Sequence, residues 1–328
     1  MINEKKGNIT KVSVVIPTYN GSAFIGDALR SVFIQTRLPE EIIVVDDCSS
    51  DDTVAIAETL AREFKSPLNV LRLSRNSGGP SRPLNIGIEE AKGEVIVILE
   101  QDDVMRPQRI ALQLDSVLKY PNCSLSTGGL AVKGNQKGDL SQLWPGGQFS
   151  ALENSVPPDA EFWVVESRIA FPALLKRNFG TNSSFCFRKE WYERIGGFNE
   201  HINTCADLDF LLRAVQAGPI FITNEIIFDY RWRGDSLHRQ SAVKSALEAT
   251  MVRLRASSKT PEWAGEQLLE LRYSAVSLAT AKLKSGDLSA LRDVIELLFR
   301  HKGSSVLTRS IRNRMPGSSI RKRNASEK

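Results

Sequence analysis

An acidic segment, Glu100-Gln101-Asp102-Asp103, follows a short apolar run that ends at Leu99. Adjacent carboxylates repel one another unless a cation offsets their charge, and Mg²⁺ and Mn²⁺ are hard cations that prefer carboxylate oxygen. An acidic surface turn, or a helix cap supplied by Asp103, explains the segment equally well when it is taken alone. Two interpretations therefore stay open, a divalent-metal site and a plain acidic turn.

Two further acidic segments are similarly ambiguous. Asp46 and Asp47 end a second apolar run, where a carboxylate could accept hydrogen bonds from a nucleobase or a ribose. Asp207 and Asp209 begin a helix-like segment, and an aspartate at the mouth of a site could serve as a general base. If each pair is considered alone, a turn explains Asp46 and Asp47 more simply. A helix start, where acids complement the helix dipole, likewise explains Asp207 and Asp209 more simply.

The elements that must position these residues alternate between strand and helix patterns in the first half of the chain. Apolar runs typical of strands lie at 12–18, 41–45, 69–73 and 95–99, and helical patterns lie at 22–34, 53–64, 84–91 and 108–119. Strands separated by helices of this length predict a mostly parallel sheet covered on both faces. Ligands bind at the carboxyl ends of such strands, and acidic segments follow the second and fourth runs.

The remainder of the chain is less regular. Residues 128–180 are interrupted by Gly, Pro and polar residues, which predict loops and short elements that form a variable wall. After them we predict a strand at 181–188, a helix from Asp207 to Ala217 and short strands within 219–232. Three helices are predicted at 242–257, 262–284 and 288–301, and a basic tail at 303–328 is predicted to be disordered.

The composition is that of a soluble globular protein, with 41% hydrophobic and 25% charged residues among 328. No apolar run approaches the roughly 18–20 residues of a membrane span, and the polar first eleven residues predict no secretory signal. The four cysteines are scattered, which argues against a disulfide framework or a zinc site and fits a reducing cytosol. A dinucleotide-dependent dehydrogenase is disfavoured because no Gly-x-Gly-x-x-Gly follows the first strand.

The net charge of +5 conceals an asymmetry between the two parts of the chain. Residues 241–328 hold 17 Lys and Arg against 8 Asp and Glu, whereas residues 1–240 hold 26 against 30. A basic end of this kind could bind nucleic acid or an anionic surface, although a solvated tail is the simpler interpretation. If the tail binds anything, its cations suit lipid phosphates better than nucleic acid.

Several motifs occur in the order that is typical of one known family. They are Val12-Ser13-Val14-Val15-Ile16-Pro17-Thr18-Tyr19-Asn20, Ser31-Val32-x-x-Gln35-Thr36, Glu41-Ile42-Ile43-Val44-Val45-Asp46-Asp47-x-Ser49, Asn76-x-Gly78-Gly79-x-Ser81, Asn85-x-Gly87-Ile88, Ala91-x-Gly93-Glu94, the acidic segment at Glu100, Gly196-Gly197-Phe198, and the Asp207 block that ends in Arg213. Over residues 11–240 the chain resembles the family 2 glycosyltransferases. The resemblance implies the GT-A fold, an α/β fold whose mixed, mostly parallel sheet is flanked by helices.

The resemblance assigns the donor side of a site residue by residue. It implies that Pro17, Thr18 and Tyr19 line the nucleoside pocket, with the Tyr19 ring against the base. It also implies that Asp47 hydrogen-bonds the base and that Asp102 lies near the ribose or the donor sugar. We therefore expect the first strand and the two acidic segments that follow strands to share one cleft.

The resemblance also implies the reacting groups. Asp103 would hold Mn²⁺ or Mg²⁺ on the diphosphate, with Glu100 as a second candidate ligand in the place of the family's usual aspartate. Arg82 would substitute for a family arginine that is absent here, and His238 would lie near the diphosphate. Asp207 would be the catalytic base of a single-displacement, inverting transfer.

Two departures from the family pattern keep an alternative open. Ala206 replaces the acid that commonly precedes the base, and Cys48 replaces a common glycine in the turn after Asp47. Together with Glu100, the missing acid leaves a second interpretation, a catalytically silent relative that acts as a scaffold in a polysaccharide assembly complex.

We expect an enzyme with three parts: a catalytic domain at 1–240, a helical extension at 241–302 and the tail at 303–328. The expected donor is a UDP-sugar, with dTDP-sugars next, and the expected acceptor is a glycan or glycolipid hydroxyl in cell-surface polysaccharide biosynthesis. We expect a cytoplasmic protein whose basic C-terminus makes peripheral contact with the inner face of the membrane, without a nucleic-acid partner.

Overall fold

The computed structural model describes residues 10–133, 147–157, 160–232 and 242–264. Within these residues nine strands form one mixed sheet. The strands are β1 Val12–Thr18, β2 Glu41–Asp46, β3 Leu68–Arg72, β4 Val95–Ile98, β5 Val104–Met105, β6 Leu125–Lys133, β7 Phe162–Val165, β8 Cys186–Arg188 and β9 Ile220–Arg231. They lie in the order β3-β2-β1-β4-β8-β6-β9-β5, and β7 pairs with the first half of β9.

The first four strands form a parallel block, as the alternating pattern predicts. Strand β8 joins this block to β6 through two antiparallel pairings, and β6 runs parallel to β9. Every residue of β1 is buried, because helices cover both faces of the sheet. Val15 packs with Leu84 and Ile88 on one face, whereas Val14 packs with Leu29 on the other.

The helices of the described residues cover the two faces of the sheet and carry several of the predicted site residues. They are α1 Ile25–Phe33, α2 Thr53–Glu63, α3 Ser81–Glu90, α4 Arg109–Lys119, α5 Ser167–Lys176, α6 Lys189–Ile195, α7 Ala206–Ala217, α8 Ala242–Lys259 and α9 Pro261–Ala264. Single turns of 3₁₀ helix lie at Ser150–Leu152 and Asn182–Ser184. Among the described residues, no helix is both long and apolar enough to cross a membrane.

The structure departs from the sequence prediction in three places. The strand predicted at 181–188 is only Cys186–Arg188, because Thr181 and Ser184 cap each other across a 3₁₀ turn. The loops predicted within 128–180 include helix α5, whose buried Phe171 and Leu174 outweigh the disruptive effect of Pro172. The short strands predicted within 219–232 are one strand, β9, whose exposed polar centre coincides with a register shift against β6.

The predicted helix at 242–257 is confirmed as α8, and it belongs to the main hydrophobic core. Leu247, Met251, Val252 and Leu254 of α8 are buried in the same cluster as Leu208 of α7. The predicted helices beyond residue 264, the tail at 303–328 and His238 lie outside the described residues.

Candidate active site

The acidic segment forms the turn between β4 and β5, at the carboxyl edge of the parallel block. Asp103 is only 2% exposed, and its Oδ1 accepts a hydrogen bond of 2.9 Å from the Arg231 backbone N–H at the end of β9. Glu100 accepts a hydrogen bond of 2.8 Å from Asn182 Nδ2. Asp102 and Glu100 are both partly exposed. The turn therefore presents two carboxylates that keep some contact with solvent and buries the third, Asp103.

The carboxylates of this turn interact strongly with one another. Burial, followed by the charges of Asp102 and Asp207, raises the pKa of Glu100 to about 7. Burial and the charge of Asp102 also raise the pKa of Asp103 well above its ordinary value. The pKa of Tyr230 is raised by burial and by all four of these carboxylates. Asp207 therefore lies in the same electrostatic cluster as the acidic turn, although more than 100 residues separate them in the chain.

Asp207 occupies the first turn of α7, directly after the buried Ala206. Burial raises the pKa of Asp207 to about 6, while hydrogen bonds from the Leu208 backbone and Asn178 and the charge of Arg253 oppose the increase. The Leu208 N–H donates to Asp207 Oδ1 at 2.7 Å. A carboxyl with this pKa is mostly ionised at neutral pH and is a better proton acceptor than an ordinary aspartate.

Asp47 directly follows β2, at the carboxyl edge of the parallel block. It is 3% exposed, and its carboxylate accepts hydrogen bonds from the Ser77 backbone at 2.9 Å and from Ser77 Oγ at 2.9 Å. Its own N–H donates to Thr18 O at 2.8 Å. The predicted nucleoside residues Pro17 and Thr18 are in β1, and the neighbouring Tyr19 is 45% exposed. The ends of β1 and β2 thus meet around Asp47.

Gln101 links the end of β1 to the acidic turn, a role that the sequence analysis did not assign. Its Oε1 accepts hydrogen bonds from the Tyr19 N–H at 2.9 Å and from Thr18 Oγ1, and its Nε2 donates to Tyr19 O at 3.1 Å. A Cβ added to Gly21 would lie 2.1 Å from Gln101 Oε1, so a side chain at this position would displace Gln101 from these hydrogen bonds. The only signal in the sequence is the position of Gln101 inside the acidic segment.

Two arginines support the acidic turn, and both were missed by the sequence analysis. Arg231 Nε donates to Asp102 O at 3.0 Å, and its guanidinium pairs with Asp27 at 2.8 Å. Arg109 is fully buried, and its Nη2 donates to Ile98 O at 2.8 Å. Burial lowers the pKa of Arg109 to about 10, while the charge of Asp103 acts in the opposite direction.

Arg82, predicted to replace a missing family arginine, lies in the first turn of α3. It is 46% exposed and pairs with Glu200 at 3.4 Å. Asn85 on the same helix has a structural role: it accepts a hydrogen bond of 2.8 Å from the Phe198 N–H and donates one of 2.9 Å to Phe198 O. This pair of bonds fastens the Gly196-Gly197-Phe198 motif to α3.

The turn that contains Cys48 has the geometry that a glycine would favour. Cys48 has a φ of +67°, in the left-handed region that costs L-residues roughly 1–2 kcal/mol. The turn is nevertheless closed, because the Ser49 N–H donates to Asp46 Oδ2 at 3.1 Å. Cys48 therefore adopts with strain a conformation that glycine would adopt without it.

The carboxylate oxygens of the acidic turn fit a divalent cation whose remaining ligands come from a substrate. Among the described residues, no group of three or more His, Cys, Asp or Glu side chains is arranged to hold a metal ion by itself. Asp102 and Asp103 are adjacent, and burial, followed by the charge of Asp102, raises the pKa of Asp103. Mg²⁺ and Mn²⁺ commonly take one or two carboxylates and complete their shell with phosphate oxygens and water.

A family model described as glycosyl transferase family 2 matches residues 13–194, which is more than half of the chain. The chain belongs to this family. The family prediction is thereby confirmed.

Curated relatives are similar over most of this chain. An uncharacterized glycosyltransferase of Rickettsia conorii is 26% identical over 226 residues, which is 69% of this chain and 35% of that protein. A poly(ribitol-phosphate) beta-glucosyltransferase of Bacillus spizizenii is 28% identical over 71% of this chain and 34% of its own length. This chain therefore spans about a third of the length of these two relatives.

Solved structures of two glycosyltransferases share the fold. Staphylococcus aureus TarS 1–349 in complex with UDP-GlcNAc superposes with a TM-score of 0.64 at 20% identity, over 88% of this chain and 81% of that one. A mannosyltransferase from Pyrobaculum calidifontis in complex with GDP-Man and Mn²⁺ superposes with a TM-score of 0.57 at 16% identity, over 92% and 84%. The likeness confirms the predicted GT-A fold.

Proposed function

We propose that this chain is an inverting glycosyltransferase that moves a sugar from a nucleoside diphosphate to a hydroxyl group of a glycan or glycolipid. The observation that supports this most directly is the electrostatic cluster shared by Asp207 and the acidic turn. A proton acceptor with a pKa of about 6 beside an acidic turn that suits a divalent cation matches what a metal-assisted inverting transfer uses.

In the proposed reaction, Asp207 removes the proton from the acceptor hydroxyl. The oxygen attacks the anomeric carbon of the donor sugar, and the bond from that carbon to the diphosphate breaks on the opposite face. The bonding electrons leave with the nucleoside diphosphate, and the sugar passes through an oxocarbenium-like transition state. General-base assistance of this kind typically contributes about 10²–10⁴ in rate.

We propose that Asp103 holds Mn²⁺ or Mg²⁺ on the diphosphate, with Glu100 as a second candidate ligand, and that Asp102 lies near the ribose or the donor sugar. When bound, such a cation stabilises the negative charge of the leaving group as a Lewis acid. The partly exposed Asp102 can reach a ligand in the cleft, and the buried Asp103 is held behind it by the Arg231 backbone. The Mn²⁺ in the Pyrobaculum mannosyltransferase complex supports this assignment.

We propose a UDP-sugar as the donor, with dTDP-sugars as the next candidates. The UDP and UDP-GlcNAc complexes of TarS support this choice. Pro17, Thr18, Tyr19 and Asp47 would line the nucleoside side of the cleft, and the hydrogen bonds from Ser77 that hold the Asp47 carboxylate support this assignment. Arg82 and His238 stay candidates for contacts with the diphosphate.

For the acceptor we propose a cell-envelope polysaccharide, which the poly(ribitol-phosphate) glycosyltransferases among the relatives support. We also propose a cytoplasmic protein with a catalytic domain at 1–240, a helical extension at 241–302 and a basic tail at 303–328 that contacts the inner face of the membrane. The burial of α8 in the main core supports a direct role of the extension in the catalytic domain.

A screen of sugar nucleotides tests the proposal. We expect a UDP-sugar with Mn²⁺ to raise the melting temperature through binding linkage, to lose most of this effect in EDTA, and to release UDP slowly by hydrolysis. Tight donor binding without any UDP release, with acceptor glycans present, would instead support the silent scaffold, for which Ala206 and Glu100 are the specific observations. Binding of no sugar nucleotide at all would refute both.

A further inference from the structure

Glu248 on helix α8 binds the segment that leads into helix α7. Its Oε1 accepts a hydrogen bond of 3.1 Å from the Asn203 N–H, and its Oε2 accepts bonds of 2.7 Å from the Thr204 N–H and 3.1 Å from the Cys205 N–H. Thr204 Oγ1 also donates to Oε2 at 2.5 Å. One carboxylate thus collects four hydrogen bonds from three consecutive residues.

These bonds hold the residues that lead into helix α7, up to its N-cap residue. Cys205 is that N-cap residue, it makes no side-chain cap hydrogen bond, and its own N–H is one of the donors that Glu248 accepts. A carboxylate near a helix N-terminus is also favoured by the helix dipole. Asp207 lies two residues after Cys205, in the first turn of α7, so the position of the proposed base depends on where Glu248 holds this segment.

The segment held by Glu248 also contacts the donor side of the cleft. A Cβ added to Gly79 would lie 3.2 Å from Asn203 Cα, and Ser81 Oγ donates to Ile202 O at 3.2 Å. Gly79 accepts a hydrogen bond from Ser77 Oγ, and Ser77 also binds Asp47. The segment thus lies between the loop that fixes Asp47 and the helix that carries Asp207.

Helix α8 is fastened near α7 by a second, separate set of contacts. Gln216 Nε2, at the far end of α7, donates to Ala256 O at 3.0 Å and to Thr260 Oγ1 at 2.9 Å. Arg253 Nε donates to Leu174 O at 3.2 Å. The docking of α8 therefore does not depend on Glu248 alone, and the chain offers a control site at the opposite end of the same interface.

We propose that Glu248 is a positioning residue for glycosyl transfer: from the C-terminal helix it anchors the segment at 203–205 that leads into α7, and so fixes Asp207 relative to the donor loop. This inference rests on the proposed function, because it assigns Asp207 the role of base. Glu248 does not touch the reacting atoms. Because a misplacement of about 1 Å can cost about 10²-fold in rate, loss of these hydrogen bonds is expected to lower turnover more than donor binding.

The test compares Glu248→Gln and Glu248→Asp with Gln216→Ala. Glutamine keeps the size of the side chain but turns one acceptor into an NH₂ donor that opposes the backbone N–H groups. Aspartate keeps the charge and is one methylene shorter, and it serves as the second variant if Glu248→Gln does not fold. Gln216→Ala removes two hydrogen bonds from the same helix pair without touching the turn that carries Asp207.

Two readouts are needed, with UDP-GlcNAc and Mn²⁺ as the probe. Hydrogen exchange of the amides at 203–205 is expected to accelerate at least tenfold in Glu248→Gln and to stay unchanged in Gln216→Ala. In Glu248→Gln the kcat for UDP release is expected to fall at least tenfold, while the KM stays within about threefold of that of the unaltered protein. The kcat is expected to recover partly in Glu248→Asp and to change less than twofold in Gln216→Ala.

Faster exchange with an unchanged kcat would overturn the positioning role, and so would equal losses of kcat in Glu248→Gln and Gln216→Ala. Unchanged exchange in Glu248→Gln would overturn the anchoring of residues 203–205 by Glu248. If the unaltered protein neither binds nor hydrolyses any sugar nucleotide, the proposed function fails and the positioning role fails with it. The exchange data are then the separate measure of whether Glu248 holds α7.

Discussion

Replacing Asp207 by asparagine should make the protein more stable, although it should remove the proposed base. Burial raises the pKa of Asp207 from the 3.8 of an unperturbed aspartate to about 6, so the folded state disfavours the ionised carboxylate. At about 1.4 kcal/mol per pKa unit this corresponds to about 3 kcal/mol. The side chain keeps some contact with solvent, so we expect about 2 kcal/mol of stabilisation in Asp207→Asn at pH 8.

The sign of the effect depends on pH. A raised carboxyl pKa means that the folded state binds more protons than the unfolded state between about pH 4 and pH 6, so its stability falls as the pH rises through this window. Asparagine has no such penalty. The difference in melting temperature between Asp207→Asn and the unaltered protein should therefore be near zero at pH 4 and about 4 °C at pH 8, measured in EDTA without donor.

Asp209→Asn, in the same turn of α7, is the matched control. Asp209 Oδ2 accepts hydrogen bonds of 2.9 and 2.6 Å from Arg213, so its neutralisation breaks an ion pair and should lower stability. Turnover should fall at least about a hundredfold in Asp207→Asn with near-normal donor binding. A melting temperature that decreases at pH 8 in Asp207→Asn, or a turnover within a few-fold of normal, would refute the reasoning.

Three further predictions use other parts of the site. Because the Asp207 base must be ionised, kcat should decrease about tenfold per pH unit below about pH 6, and a flat profile between pH 5 and 7 would contradict the assignment. Asp103→Ala should weaken donor binding and remove its dependence on Mn²⁺, whereas activity that persists unchanged in EDTA would exclude the metal role. Cys48→Gly should raise the free energy of unfolding by about 0.5–1 kcal/mol, because glycine adopts the φ of +67° without strain. Urea unfolding measures this free energy. A lower free energy of unfolding in the variant would mean that the Cys48 side chain stabilises the turn.

The parallel block was predictable because each of its strands is an apolar run that ends abruptly. The four residues of β4 are all buried, and the acidic segment begins two residues after its end. The end of a buried strand in a parallel sheet fixes where its following residues lie, so the position of Asp103 followed from the sequence. Asp47 was predictable for the same reason, at the end of β2.

The second half of the fold was harder to predict because tertiary burial outweighs local preference there. Helix α5 contains Pro172, yet its Phe171 is buried in the core. The short helix α6 has the sequence of a charged segment, yet its Trp191 is buried in the core. Helix α3 begins at Ser81, before Pro83, because a proline in the first turn leaves no helical hydrogen bond broken. Local patterns could not show these outcomes, since the deciding contacts come from distant residues.

The supporting residues of the site were not predictable for a related reason. Gln101, Arg231 and Glu248 act through backbone N–H and C=O groups, and such contacts leave no pattern of residue types in a single sequence. The carboxylates had a signal because clustered acids at strand ends are chemically unusual. The residues that hold them in place look like ordinary polar residues of a turn, a strand end and a helix.

The electrostatics of the cleft suggest why a divalent cation and a donor should act together. Burial raises the pKa values of Asp103 and Glu100, and the neighbouring charge of Asp102 contributes to both, so part of the repulsion persists at neutral pH. A cation alone would reduce this repulsion, but the described residues hold no group of three or more ligands for it, and a diphosphate alone would add to the repulsion. Binding of each should therefore strengthen binding of the other, and by thermodynamic reciprocity the two coupling free energies must be equal.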